Sequence, residues 1–189
     1  MRFDEFVEQN GMVVVSVDRF AGFHVEVGVP SGWELFHSAT GVRVWLCRDD
    51  PRGDVFCTNA VLTMHRVEAF IDAGAVFAML VDQQLHSVPG FRELSRELGT
   101  ATEGAGAVGA VTMQVTDALG TINSVSKSRI ITAEQETVIA QLTLSALADS
   151  PKARANVWLT VRPGALTDSA PTDRHGIAPV GTRDADGYR

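Results

Sequence analysis

Val42-Arg43-Val44-Trp45-Leu46-Cys47, a nine-residue polar loop, and Cys57-Thr58-Asn59-Ala60-Val61-Leu62-Thr63-Met64-His65-Arg66-Val67 form the stretch on which the fold turns. Both segments alternate in character with a period of two, the spacing of β-strands. They predict a hairpin closed by the loop Arg48 to Phe56. With Trp45 set opposite Asn59, Val44, Leu46, Ala60 and Leu62 share the core side; a slip of one residue puts them on opposite sides. The same register sets Cys47 beside Cys57, as a disulfide if the chain is exported or as two quiet thiols if it is cytosolic. The other face then collects Arg43, Trp45, Asn59, Val61, Thr63 and His65, with Thr112, Gln114 and Thr116 extending it. So little charge suits either cover by helices or a cleft for an amphipathic ligand. Arg43, Trp45, Asn59, Thr63 and His65 are therefore the candidate ligand-binding residues.

Working outward, Phe3 to Gln9 predicts a short amphipathic helix ended by Asn10-Gly11. Strands follow at Met12 to Val17 and Phe23 to Val29, and Pro30-Ser31-Gly32 breaks the second. Asp72 is placed to cap a helix running to about His86, with Ala73, Val76, Phe77, Leu80, Val81 and Leu85 as its apolar stripe, and Pro89-Gly90 stops it. The chain to Leu147 reads mostly as strand: Phe91 to Leu98, Ala107 to Thr116, Thr121 to Thr132 and Thr137 to Ser145. Ser150-Pro151 has the form of a helix start, so a helix is expected from Pro151 to Leu159, although Val157 to Val161 also reads as strand. The order of elements indicates an α+β fold with a mostly antiparallel sheet, in one domain over residues 1–162. Residues 163–189, rich in Gly, Pro, Asp and Thr, read as a tail.

At 189 residues, with 45% hydrophobic and 21% charged residues, the chain has the make-up of a globular domain. A net charge of −7 and the lack of any Lys/Arg cluster exclude nucleic acid as an expected partner. The apolar runs fall short of the roughly 18–20 residues needed to span a bilayer. Arg2 is followed by Asp4, Glu5 and Glu8, the wrong charge order for a secretory signal, so the sequence as it stands reads as cytoplasmic; with a leader removed it would read as an envelope protein. The bias to Arg over Lys, with much Ala, Gly and Val, suggests a GC-rich bacterial genome.

No pattern demands catalysis, a cofactor or a metal. Gly104-Ala105-Gly106-Ala107-Val108-Gly109 matches a dinucleotide-binding string, but the residues after it read as strand, so no helix N-terminus is there to hold a pyrophosphate. The loop Asp49 to Asp54 lacks the distal Glu of a calcium loop and reads as a solvated turn. The five histidines show no ligand spacing. His65 and Glu68 have opposite strand parity, against a simple dyad. A hydrolase or transferase using Cys57 or His65 is the least favoured class, because a nucleophile, a base and an orienting group do not occur together.

Val29-Pro30-Ser31-Gly32-Trp33, then Thr58-Asn59-Ala60-Val61 leading to Met64-His65, then Val88-Pro89-Gly90-Phe91 resemble the LpqN family of actinobacterial envelope lipoproteins, over about residues 23–160. The resemblance implies a Mog1/PsbP-like fold, an antiparallel sheet sandwiched by helices. It also implies a non-enzymatic protein that binds an envelope lipid or glycolipid, or a partner protein as an adaptor. The family has no catalytic motif to transfer. Its members carry a lipid-accepting Cys near the start, whereas the first Cys here is Cys47.

Overall fold

The computed structural model describes residues 1–102 and 106–164. Within them, ten strands and two helices follow in order: α1 (Phe3–Gln9), β1 (Val14–Ser16), β2 (Phe23–Gly28), β3 (Trp33–Ala39), β4 (Val42–Cys47), β5 (Asn59–Val67), α2 (Ala73–Ser87), β6 (Arg92–Thr100), β7 (Ala107–Asp117), β8 (Gly120–Thr132), β9 (Thr137–Leu147) and β10 (Trp158–Pro163). The fold is α+β and its sheet pairs antiparallel, as the strand pattern implies.

The main sheet has the order β3-β4-β5-β9-β8-β7-β6. β4 pairs with the Asn59–Thr63 half of β5, and β1 takes over along His65–Val67. Gly41 turns the chain from β3 into β4 with φ +72°, and an added Cβ there would stand 2.7 Å from the Met64 carbonyl oxygen. Only glycine fits so close an approach.

Each face of the sheet has its own cover. On one, α1 and α2 pack over Val67, Val111, Met113, Ile130 and Ile139. Asp72 caps α2 as expected, its side chain accepting from the Ala75 N–H at 2.9 Å. The Phe77 ring of α2 lies where Gly109 leaves room for it. On the second face, where the resemblance implied helix, β2 and β10 form a two-stranded ribbon. Val25, Val27, Val157, Leu159 and Val161 of this layer pack over Leu62, Met64 and Leu142.

Several local expectations differ from the structure. The helix expected over Pro151 to Leu159 is only a turn at residues 151–154, followed by strand β10, because Leu159 and Val161 find partners in Val27 and Val25. Pro163 closes β10 opposite Phe23 and so belongs to the domain and not to the tail; residues 165–189 lie outside the described residues. Trp33–Ala39, for which the sequence pattern predicts no element, is an edge strand with a bulge between Leu35 and His37. In the dinucleotide-like string, Gly104 and Ala105 lie outside the described residues, and strand β7 starts at Ala107.

Candidate functional site

The β4–β5 register is one residue away from the expected one. Trp45 faces Ala60 and Leu46 faces Asn59. Directly opposed residues share a side, so Leu46 and Leu62 lie on opposite sides of the sheet. The shared core of Val44, Leu46, Ala60 and Leu62 is thereby corrected: Val44 and Leu46 look to the helix side, Ala60 and Leu62 to the ribbon side.

The candidate binding face divides with them. Arg43 and Trp45 lie on the ribbon side, where Trp45 packs with the ribbon core and Arg43 donates to Asp18 at 3.1 Å. The N–H of Gly41, foremost, and the Arg43 guanidinium hold the Asp18 carboxyl below its ordinary pKa. Thr112, Gln114 and Thr116 share that side, since each opposes Val125, Asn123 or Thr121 on β8. Asn59, Val61, Thr63 and His65 lie on the helix side. Asn59 is spent locally, its amide donating to the Cys57 carbonyl at 3.0 Å.

Cys47 and Cys57 are free thiols rather than a disulfide, because the one-residue shift sets Cys47 against Thr58, whose carbonyl accepts from the Cys47 N–H. Burial, reinforced by the hydrogen bond that its Sγ gives Asp49, pushes the Cys47 thiol up to about 11. It remains protonated at neutral pH. The loop that follows, Asp49 to Asp54, is not simply solvated. Asp50 is only 6% exposed and accepts from Thr58, from the Ser150 hydroxyl and from the Arg52 N–H. Burial raises its pKa, but these hydrogen bonds outweigh burial and leave it lowered.

Thr63 and His65 do come together with other groups. They line a pocket of about 470 Å³ between α1, α2 and the sheet, with Phe3, Val7, Val14, Leu80 and Ile139 as apolar walls. Gln83 and Gln141 add amides, and Asp4 and Glu8 of α1 add carboxylates. α1 is tied to α2 by the Met1 ammonium on Asp82 at 3.1 Å and by the Asp4 N–H on Gln83 at 3.0 Å. Burial holds the His65 imidazole below its ordinary pKa, and its Nδ1 is buried with no hydrogen-bond partner among the described residues.

Around Gln84 the floor under α2 turns polar, where a helix normally meets large apolar side chains. Ser124, Ser126 and Ser128 of β8 are all buried, and Ser126 meets the Thr143 hydroxyl at 2.7 Å. Gln84 reaches down from α2 to Ser126 at 2.8 Å. The sequence reading passed over these residues. Their signals were an amide within the apolar stripe of α2 and alternating serines in a strand.

Among the described residues, no three His, Cys, Asp or Glu side chains are grouped to hold a metal ion. No helix among them is long and apolar enough to cross a membrane.

No family model matches the chain, and no curated protein matches its sequence. Among solved structures, LpqN, described as involved in cell envelope biogenesis of Mycobacterium tuberculosis, superposes with a TM-score of 0.62, covering 79% of this chain and 87% of that one. This chain shares the fold of LpqN. At 17% identity the likeness to LpqN is one of fold. A chain from Bacteroides thetaiotaomicron and human STARD10 reach TM-scores of 0.33 and 0.28 at 9% and 12% identity. They cover 72% and 63% of this chain, 45% and 62% of their own lengths, and neither bears on the LpqN comparison.

Proposed function

We propose that this chain is a non-catalytic binding protein that holds an apolar or amphipathic small molecule, of the kind found in an envelope lipid, between α1, α2 and the sheet. The observation that carries this reading is the pocket itself: apolar walls from α1, α2, β1 and β9 converge on a few polar side chains, among them Thr63, His65 and Gln83. That is the usual make-up of a small-molecule site. The site differs from the one the sequence suggested, keeping Thr63 and His65 and giving up Arg43, Trp45 and Asn59.

The chemistry of the side chains supports binding over catalysis. The Cys57 thiol donates to the Thr58 carbonyl at 3.9 Å and not to a base, and His65 has no partner at Nδ1 among the described residues to orient it as one. The shared fold with LpqN, a protein involved in envelope biogenesis, supports an envelope amphiphile as the ligand and an envelope location for an exported form.

A second reading, a protein adaptor, is favoured by one feature. Leu35 and Phe36 on edge strand β3 are 55% and 64% exposed, and an apolar edge suits strand or surface pairing.

Native mass spectrometry of the protein gently purified from an actinobacterial host tests the first reading. A stoichiometric adduct released by organic solvent is expected. A bare mass for wild type, with no mass gained on adding monooctanoylglycerol, would overturn it.

A further inference from the structure

α2 roofs more than one pocket. Leu80 and Gln83 line the pocket described above, while Gln84, Ser87 and Val88 line a second of about 320 Å³, whose far wall includes Phe91 and Val115. The floor is also shared. Along one face of β9, Ile139 and Gln141 belong to the first pocket, and Thr143 and Ser145 to the second. At about 3.3 Å per residue, that row is roughly 20 Å long.

Gln84 stands at the division. Its Nε2 donates to Ser126 at 2.8 Å, and at 3.3 and 3.4 Å to Gln141 and Thr143, one residue from each pocket. Two N–H donors are thus spread over three acceptors, only one of them at good length. The amide orientation follows from its neighbour: Gln141 gives its own N–H to Ser128 at 3.0 Å, so its oxygen faces Gln84 and must meet Nε2. The Gln84 Oε1 is then left buried without a partner among the described residues. A partition held this loosely is cheap to displace.

Charge narrows the occupant. Asp4 and Glu8 line the first pocket and Asp117 the second, and among the described residues neither lining holds a lysine or arginine. An anionic head group would meet like charge, whereas hydroxyls would meet amide and hydroxyl groups.

We propose that the two pockets are one binding site divided by the displaceable side chain of Gln84, and that this site takes a long-chain amphiphile with an uncharged, hydroxyl-bearing head. The proposal rests on the reading of the first pocket as a ligand site. A ligand short enough to stay in one lobe leaves Gln84 in place, and a longer one turns it aside.

Competition against the neutral dye Nile red tests this on the full chain, using monooctanoylglycerol, monomyristoylglycerol and myristate with wild type, Gln84→Ala and Gln84→Phe. Each protein yields a ratio of long-chain to short-chain affinity, in which any loss of folded protein cancels. Gln84→Ala is expected to raise that ratio about tenfold, ~1.4 kcal/mol, and Gln84→Phe to lower it. Wild type is expected to bind monomyristoylglycerol at least about tenfold more tightly than myristate by the same arithmetic. A ratio equal in all three proteins overturns the partition while leaving the first pocket as a ligand site, since the dye and the short ligand still bind. Myristate bound as tightly as its glycerol ester overturns the head-group class. Failure of wild type to bind the dye or either ester overturns the reading beneath the proposal and the proposal with it.

Discussion

Asp50 and Ser150, a hundred positions apart, are joined by a buried hydrogen bond in which the serine hydroxyl donates to the carboxylate at 2.9 Å. Thr58 donates to the same carboxylate. Asp50→Ala removes the acceptor and leaves buried hydroxyls unmatched, at a cost of about 1–3 kcal/mol, to be read from urea unfolding at neutral pH. The pKa of Asp50 is lowered on folding, so its contribution is present above the unfolded value of about 3.9 and is lost as pH falls through the folded value. Wild type should therefore lose more stability than Asp50→Ala on acidification through that range.

His65 gives a second pH dependence, nearer neutrality. In the unfolded chain it takes up a proton near pH ~6.5, whereas burial holds the folded imidazole neutral to lower pH. The unfolded state thus binds more protons in that interval, and stability rises with pH across it. The stabilisation is complete above about pH 6.5 and is lost as pH falls toward the folded value. NMR titration should show His65 titrating below the ordinary histidine value of about 6.5, and His65→Leu should flatten this part of the stability profile.

The two thiols should differ in reactivity. Cys47 is buried and its pKa is raised to about 11, while Cys57 is partly exposed. Iodoacetamide at neutral pH should label Cys57 first, with Cys47 labelled fully only after unfolding. Equal rates in the folded protein would contradict the placement of Cys47.

Gly109 makes room for α2. A Cβ at this position would lie 2.3 Å from the Phe77 ring. Gly109→Ala should cost about 1–3 kcal/mol by overpacking, and Phe77→Leu in the same chain should recover part of it. Additive losses in the double mutant would contradict the contact.

The positions of α2 and of β5 through β9 were legible because their periodicities are long and unambiguous, and Asp72 marks the helix start. The β4–β5 register was not legible. Val42, Val44 and Leu46 on one face of β4 and Trp45 on the other are all apolar, so alternation alone offers either side as core. What selects the side is β2 and β10, which cover Trp45, and their pairing joins segments at opposite ends of the described chain. The candidate face divides between the two sides of the sheet for the same reason. Thr63 and His65 were legible as polar groups on a strand, but the pocket they line is closed by Phe3, Val7 and Leu80, whose meeting depends on how α1 docks on α2. The serines under α2 alternate with Val125, Lys127 and Arg129, and nothing local tells the sequence which set goes inward.

The most direct measurement is an amide chemical-shift titration of the full chain with monooctanoylglycerol. Saturable shifts should gather at Val7, Val14, Thr63, His65 and Ile139, leaving Arg43 and Trp45 unmoved. Shifts confined to the ribbon side around Trp45, or no saturable shifts at all, would contradict a ligand site on the helix side of the sheet.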